Sequence, residues 1–440
     1  MRRPDRSILA RLSGLVQLVL AQFAVDRRVL ALAFARMADG VGNSFLIIVI
    51  PLYVANGVVG GSTFGLDESM IIGVILSLFG FLNSSFQPLT GRLSDRTGRR
   101  KTFILTGLGG LAVTNASYLF AETYVSLLAI RGLQGVSVAF IIPASVALVN
   151  ELATTGDRGG NMGVYNTFRL VGFGAGPVAA GAVVSAGPYG LLAGSTISGF
   201  DAAFSIAATT AVISYLLVTV LITDPESKGA TAGADLSIDV FDSSGRNLLD
   251  PIFTLGVVSL FMATAIALFA TIQPQVNDHL EQGSTWFGLQ FSAFIIAQIA
   301  LQTPIGRACD RYGRRPFILL GMVILVPSTL AQGLVTTSET MFLARLVQGI
   351  AGAMVFAPAL ALAGDLAGEG ESGSKLSVLT MAFGFGIAIG PFSSGALISY
   401  GFEVPFAFGT VLAAFGAILV YTQVEETLET TASVPVVGDD

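Results

Sequence analysis

The fold is decided by a ten-residue stretch that occurs twice, GRLSDRTGRR at residues 91–100 and GRACDRYGRR at residues 306–315. Each copy joins two long apolar segments and combines glycines, one aspartate and a cluster of arginines. Positive charge between two apolar segments is typical of the cytoplasmic loops of membrane proteins. Because the second copy begins 215 residues after the first, we expect the chain to contain two copies of one structural unit.

Two further patterns repeat at almost the same interval. RGLQG at residues 131–135 returns as RLVQG at residues 345–349, and G-x-x-x-G-P-x-x-x-G in residues 172–181 returns in residues 386–395, both 214 residues later. The members of the second pattern are Gly172, Gly176, Pro177 and Gly181, and then Gly386, Gly390, Pro391 and Gly395. Glycines four residues apart let two helices approach closely, and proline bends a helix. We therefore expect closely packed helices in two equivalent halves.

The composition of the 440 residues excludes most other classes of protein. Apolar residues make up 53% and charged residues 12%, whereas a soluble domain carries roughly 25% charged residues. A net charge of −6 gives no support to nucleic-acid binding. The single cysteine, Cys309, and the single histidine, His279, exclude an internal disulfide, a cysteine or histidine metal cluster and most hydrolytic sites. We expect a membrane protein that is not an enzyme and that uses no cofactor or metal.

Twelve apolar stretches are long enough to cross a bilayer as helices, which takes about 20 residues. They lie at residues 29–55, 70–90, 102–121, 124–150, 162–187, 200–222, 251–273, 285–305, 316–336, 340–364, 376–399 and 403–422. No stretch shows the alternating pattern of about ten residues that is typical of a barrel strand. The predicted fold is an all-α integral membrane protein with twelve transmembrane helices in two pseudo-symmetric six-helix bundles.

The basic residues predict the orientation of these spans. Of the 23 lysines and arginines, 19 lie on one side of the predicted membrane, four lie inside spans, and none lies on the other side. The positive-inside rule then places both termini in the cytoplasm, in a multi-pass protein of the cell membrane. The predicted parts are an N-terminal segment (1–28), a first bundle (29–222), a cytoplasmic linker (223–250), a second bundle (251–422) and an acidic tail (423–440).

The apolar stretch from Ile8 to Phe23 is open to three interpretations. Its apolar residues recur at helical spacing and arginines flank it, which favours an amphipathic helix at the inner membrane surface. A signal peptide has the same general pattern. A thirteenth span would reverse every loop and place 13 basic residues outside, so we favour the interfacial helix.

Twelve spans in six-plus-six halves, with G-x-L-x-D-R-x-G-R-R after the second span, resemble the major facilitator superfamily of secondary transporters. The pattern in the fifth span resembles the signature of its drug/proton antiporters, although its second copy favours repeat geometry instead. The resemblance implies two bundles that rock around a central site, and charged motifs that lock the outward-facing conformation. The predicted latch residues are Gly91, Asp95, Arg96, Gly98, Arg99, Arg100 and Glu151, with Asp310, Arg311, Arg314 and Asp365 in the second half. The alternative is that these basic residues only fix the orientation.

Charged residues inside the spans are the candidates for the transport site, because a charge near mid-membrane costs roughly 2.5–3.5 kcal/mol. Asp39 lies near the middle of the first span, and Arg36 precedes it by one turn on the same face. Together with Arg131, which resembles the span-four arginine of proton-coupled exporters, and Arg169, they form the predicted site for proton coupling and substrate. The alternatives are a structural ion pair for Arg36 and Asp39, helix packing for Arg131, and a side chain of Arg169 that reaches toward the inner surface.

Three functions were compatible with these residues. The favoured one is proton-coupled efflux of amphipathic small molecules, and the second is proton-coupled uptake of a sugar, an organic acid or a similar nutrient, in which Arg36 and Arg169 would contact an anion. The third, a membrane protein without a transport role, has the least support. The expected partners are the lipid bilayer, a small-molecule substrate and protons, with no nucleic acid, and the expected oligomeric state is a monomer.

Overall fold

A computed structural model describes residues 27–152, 158–190, 195–224, 240–242, 247–366 and 372–427. The predicted interfacial helix, most of the predicted linker and the tail beyond residue 427 lie outside these ranges, as do the side chains of Arg158 and Lys375.

The described residues contain twelve helices that are long and apolar enough to cross a membrane, which confirms the predicted number of spans. The helices are α1 Arg27–Ala55, α2 Glu68–Thr97, α3 Arg100–Ser117, α4 Tyr124–Glu151, α5 Arg158–Ala186, α6 Gly199–Leu221, α7 Pro251–Ala267, α8 Ser284–Tyr312, α9 Arg315–Leu334, α10 Ser338–Leu366, α11 Ser372–Leu397 and α12 Val404–Gln423. Short 3₁₀ turns at Tyr118–Phe120, Leu268–Ala270 and Ile398–Tyr400 follow α3, α7 and α11. A short helix, Gln273–His279, follows α7, and a two-residue hairpin, β1 Tyr189–Gly190 with β2 Thr196–Ile197, precedes α6.

Local sequence explains where several helices begin. The Thr123 side chain accepts a hydrogen bond from the Ser126 amide, 3.2 Å away, and the Thr123 amide donates one to Ser126 Oγ, which completes a capping box at the start of α4. Asp250 caps α7 by accepting from the amides of Ile252 and Phe253, and Pro251 occupies the first helical position, where its missing N–H costs nothing.

The helices pack in the same order in both halves, which is the internal repeat expressed in three dimensions. In the first bundle α1 packs on α5 and α6, α4 packs on α2 and α3, and α3 packs on α6. In the second bundle α7 packs on α11 and α12, α10 packs on α8 and α9, and α9 packs on α12. The two bundles meet along two seams, α2 against α11 and α5 against α8.

The two ends of the molecule are packed differently. We call the end that carries both ten-residue motifs the motif end and the opposite end the far end. At the far end one hydrophobic core contains residues from both bundles, among them Phe45, Ile71, Phe269 and Phe406. Toward the motif end each bundle has a core of its own, and among the described residues Leu170 of α5 is the one buried residue of the first bundle that belongs to the core of the second.

Contacts along the seams show the same difference between the far end and the motif end. Gln275 donates a hydrogen bond to Ser69 Oγ across the far end, 2.8 Å away, and the α2–α11 seam continues inward as far as Ser84 and Gly384. Contacts between the bundles therefore close the far end, while toward the motif end each bundle packs on a core of its own.

One expectation about the motifs is wrong. We expected loops after the second and eighth spans, whereas α2 continues to Thr97 and α8 to Tyr312, so most of each motif is helical. The end of an apolar stretch marks where a span leaves the bilayer, and a helix continues into water until a residue breaks it. Gly98 (φ 64°) and Gly313 (φ 95°) are those residues, because both adopt positive φ angles that favour glycine.

Candidate functional site

Asp39 lies buried in the first bundle, with 2% of its surface exposed. Its Oδ2 forms an ion pair with Arg36, and its Oδ1 accepts a hydrogen bond from Asn43 Nδ2, 2.9 Å away. Both carboxylate oxygens are thus occupied by side chains of the same helix. The pair borders a small cleft that is also lined by apolar residues of α3, α4 and α6, so it faces the interior of its own bundle.

Glycines bring α5 close to α1 beside this ion pair. A Cβ atom at Gly172 would overlap the backbone of Met37, and one at Gly176 would overlap the side chain of Ser44. A Cβ atom at Gly40 would lie 3.1 Å from the carbonyl oxygen of Arg169. The first two glycines of the repeated pattern therefore hold α5 against α1 at the level of Asp39.

The remaining residues of each pattern lie on the seams between the bundles. Gly181 of α5 lies against the backbone of Ser284, and Gly288 of α8 lies against the carbonyl of Pro177. In the second copy, Gly386 and Gly390 pack on α7, whereas Pro391 and Gly395 pack on Gly73 and Ser69 of α2. Each copy therefore joins a helix to the first helix of its own bundle and to the neighbouring bundle.

Arg169 is brought close to Arg36 by this packing. It is partly buried, lies within electrostatic range of Arg36 and Tyr165, and makes no side-chain hydrogen bond or ion pair with a described residue. The Tyr165 hydroxyl and Arg36 Nε are also buried without a hydrogen-bond partner. Of the four predicted site residues, the structure thus pairs Arg36 with Asp39 and brings Arg169 within electrostatic range of Arg36.

Arg131 lies elsewhere in the first bundle, in a buried polar network. Its Nη1 donates to Gln134 Oε1 at 3.1 Å, Tyr118 donates to the same oxygen at 2.8 Å, and Gln134 donates to Asn115 Oδ1 at 2.5 Å. The guanidinium also lies over the ring of Phe79, 4.9 Å from its centroid.

The second bundle contains a related network at positions 214 residues later. Arg345 donates to Gln348 Oε1 at 2.5 Å, and Gln348 donates to Thr329 Oγ1 at 3.1 Å. Three phenylalanine rings surround Arg345, those of Phe269, Phe291 and Phe294, at 4.4, 5.7 and 5.0 Å from its Cζ atom. The arginine, the glutamine and an aromatic ring beside the arginine are thus part of the repeat, and the rings of Phe269 and Phe291 are the additional neighbours of Arg345.

Arg100 is the centre of the charged cluster at the motif end of the first bundle. Its guanidinium is buried and reaches Asp95 Oδ1 at 2.5 Å, Glu151 Oε1 at 2.8 Å and Ser94 Oγ at 3.0 Å. In the second bundle Arg314 takes this place, with Asp310 at 3.6 Å and an ion pair to Asp365.

The other arginines of the motifs have different surroundings. The side chains of Arg96 and Arg99 make no hydrogen bond or ion pair with any residue in the described ranges. Arg311 lies over the ring of Tyr312, 5.3 Å from its centroid. The recorded ion pairs lie within one bundle or the other, so a lock between the bundles stays a prediction.

Sequence reasoning missed two acidic residues, one in each bundle, that connect the chain after the sixth helix to the start of the third helix. Asp224 accepts a hydrogen bond from the amide of Lys101 at 2.7 Å, and Glu426 accepts one from the amide of Arg315 at 2.8 Å. Each acid lies three residues beyond the sixth helix of its bundle and satisfies an amide in the first turn of the third helix. The acids are 202 residues apart rather than 214, which hides the correspondence from a search at one fixed interval.

Comparisons with known proteins agree with the architecture. The family model described as Major Facilitator Superfamily matches residues 32–255 and 253–435. Among curated relatives, "Multidrug resistance protein 2" of Bacillus subtilis (strain 168) is 27% identical over 168 residues, which are 38% of this chain and 42% of that protein. "Multidrug resistance protein MdtG" of Citrobacter koseri is 25% identical over 405 residues, 90% of this chain and 94% of that protein. The match spans less than half the length of each of the first three curated relatives, at 42%, 43% and 46%.

Solved structures share the fold at low identity. A POT family transporter in complex with 5-aminolevulinic acid superposes with a TM-score of 0.74 at 12% identity, covering 90% of this chain and 96% of that one. A bacterial homologue of the human lysosomal transporter Spinster, in an inward-facing and unoccupied conformation, gives a TM-score of 0.69 at 13% identity, with 90% and 97% covered.

Proposed function

This chain belongs to the Major Facilitator Superfamily, and on that premise we propose that it is a proton-coupled secondary transporter that exports amphipathic small molecules by alternating access. The multidrug resistance names of relatives at 25–28% identity support the direction and the class of substrate. We propose that it acts as a monomer in the cell membrane with both termini in the cytoplasm, and that the lipid bilayer, its substrate and protons are its partners.

The observation that carries the proposal is the buried pair of Asp39 and Arg36. Among the charged residues that the structure places at least seven positions from either end of a span, Asp39 is the one acid. An acid held at that depth is costly, and such residues commonly mark ion pathways. The Asp39 carboxylate is charged while Arg36 and water stabilise the charge, and it is neutral when they do not. Exposure of the ion pair to one side of the membrane and then to the other would therefore let Asp39 bind and release a proton.

The packing of the bundles supports alternating access. One hydrophobic core that both bundles share closes the far end, whereas each bundle has a separate core toward the motif end. A molecule built of two bundles that share contacts at one end can exchange that arrangement for contacts at the other end by a rigid-body movement.

The experiment is transport by the purified chain in sealed vesicles with an imposed pH gradient and a panel of amphipathic substrates. Export by antiport requires substrate to accumulate in the compartment that protons leave. Substrate that moves in the same direction as the protons would exclude antiport and would favour the second candidate. Substrate movement that ignores the gradient would exclude proton coupling altogether.

The second candidate is proton-coupled uptake of an organic acid. The observation in its favour is the sign of the buried charge, because four arginines accompany the single aspartate in the interior of the described spans. Such an excess of positive charge suits an anionic substrate.

A further inference from the structure

We propose that Arg36, Tyr165 and Arg169 form an anion-binding site, and that the transported molecule carries a carboxylate or a similar acidic group beside its apolar part. The inference rests on the proposed function insofar as the chain transports an amphipathic molecule, and it deepens that function by naming the substrate's charge.

The first step is a comparison of the charges inside the described spans. The residues at least seven positions from either helix end are Arg36, Asp39, Arg131, Arg169 and Arg345. Arg131 and Arg345 are held within their own bundles by Gln134 and Gln348 and by aromatic rings. Asp39 neutralises Arg36. The charge of Arg169 has no counterpart among these residues.

The second step concerns hydrogen-bond donors around Arg169. Tyr165 is 2% exposed and its hydroxyl has no partner, and Arg36 Nε is likewise buried without one. Both residues lie within electrostatic range of Arg169. The one carboxylate of this cluster, Asp39, already uses one oxygen for Arg36 and the other for Asn43. Two buried donors beside Arg169 therefore lack an acceptor, and buried donors normally have one.

The third step is the position of Arg169 on α5. At 100° per residue, Arg169 lies about 60° from Gly172, which packs on α1, and about 100° from Leu170, which packs on the second bundle. Arg169 therefore occupies a position on α5 between the face that packs on α1 and the face that packs on the second bundle. A guanidinium placed there can bind a carboxylate through two parallel hydrogen bonds.

Apolar contacts for the rest of the molecule lie one turn farther along the same helix. Phe173 is four residues from Arg169 on nearly the same face, and its ring lies 6.3 Å from that of Phe291 in the second bundle. The arrangement fits a small amphipathic acid with its charged end at Arg169 and its apolar end toward these two rings.

The site also predicts how the anion and the proton affect each other. When Asp39 is neutral, Arg36 loses its counter-charge and becomes a second cation for the ligand. Protonation and anion binding then strengthen each other, which is the relation that a proton-coupled uptake carrier uses. An exporter of anions has to keep the two events in different conformations.

The test measures equilibrium binding to the full chain in lipid nanodiscs with three probes of one scaffold: 1-naphthaleneacetate, 1-naphthylmethylamine and 1-naphthaleneethanol. We expect the carboxylate to bind about tenfold more tightly than the other two, because only it receives charge-assisted hydrogen bonds. Arg169→Gln should remove this preference, and Arg169→Lys, which keeps the charge but not the fork, should retain part of it. Asp39→Asn should tighten carboxylate binding because it frees Arg36.

The control is Arg92→Gln, which makes the same change of charge at an exposed position of α2. It should bind all three probes like the wild type. If Arg169→Gln does not fold, as judged by size-exclusion chromatography and circular dichroism, Arg169→Lys and Tyr165→Phe carry the test, and both should weaken carboxylate binding. The proposal is overturned if the carboxylate has no advantage in the wild type, or if folded Arg169 variants keep it, as a side chain that only reaches toward the membrane surface would allow.

The outcomes also separate this inference from the proposed function. Carboxylate binding that depends on Arg169, without transport driven by a pH gradient, would leave the anion site standing and remove proton coupling. Transport of the amine driven by a pH gradient, without carboxylate binding, would do the opposite.

Discussion

Asp39 is deeply buried, and two side chains of its own helix donate hydrogen bonds to its two carboxylate oxygens. Arg36 and Asn43 lie three residues before it and four after it, so the helix itself delivers both partners. The sequence predicts that Arg36 and Asp39 lie one turn apart on the same face of the helix. The closeness of Arg169 is not predicted by the sequence, because it depends on two glycines of another helix.

We expect Asp39→Asn to fold and to bind substrate but to lose transport driven by a pH gradient, because an amide neither takes up nor releases a proton. Exchange of substrate across vesicles without a gradient should survive. The matched control is Asp201→Asn in the first turn of α6, which should keep accumulation driven by the gradient. If Asp39→Asn accumulates substrate as the wild type does, Asp39 is a structural partner of Arg36 and the coupling group lies elsewhere.

Arg100 and Arg99 are neighbours of identical chemistry in very different surroundings. Arg100 is buried against Asp95 and Glu151, whereas Arg99 is exposed. Arg100→Ala leaves two acids without their shared partner, and we expect a loss of about 1–3 kcal/mol in the free energy of unfolding. Arg99→Ala should change it by less than about 0.5 kcal/mol. Thermal unfolding in detergent measures both, and equal effects would contradict the assignment of Arg100.

At the scale of the element, the helices themselves were predictable and the ends of some were not. Apolar stretches gave all twelve spans because the bilayer requires long runs of apolar residues. The same signal ended too early in α2 and α8, since hydropathy records the bilayer and not the backbone. Hydropathy also does not indicate which face of a helix packs on which neighbour. The two roles of each repeated glycine pattern, packing within its own bundle and packing on the other bundle, are therefore visible only in the structure.

Gly172 tests the first of these roles. Alanine normally stabilises a helix relative to glycine by about 1 kcal/mol. At Gly172 the added methyl would overlap the Met37 backbone, so we expect Gly172→Ala to destabilise the protein and to weaken substrate binding nearby. Gly163 of the same helix has open space where a Cβ would be, and Gly163→Ala should be neutral or stabilising. The unfolding temperatures of the two variants test this expectation. A decrease in both variants would indicate that the helix needs glycine for flexibility and not for close packing.

At the scale of the whole molecule, the closed far end depends on backbone contact between α2 and α11. A Cβ atom at Gly73 would lie 2.6 Å from the carbonyl oxygen of Pro391, which backbone cannot easily avoid. We therefore expect Gly73→Val to shift the protein toward a state that is open at the far end. Val276, buried in the far-end core, becomes the reporter when it is replaced by cysteine in a Cys309→Ser background. Maleimide labelling should accelerate with Gly73→Val but not with Gly364→Val, where a Cβ meets open space.

The orientation of the whole molecule is a separate prediction from the distribution of basic residues. Short epitope tags inserted at Gly61, between the first two spans, and at Gly233, in the predicted linker, should report opposite sides of the membrane. Antibody access in intact and permeabilised cells measures this. Access to both tags from the same side would contradict twelve spans with a cytoplasmic linker.

The acids beyond the sixth helices have a consequence for biosynthesis. Asp224 joins the end of the sixth helix to the third helix of the first bundle, and it is translated before any residue of the second bundle. The first half can therefore complete its internal contacts while the second is still in the ribosome, and Glu426 later does the same for the second half. We therefore expect the seams between the halves to be the last contacts to form, so the surfaces that move in the proposed alternating-access cycle are also the ones that the chain assembles last.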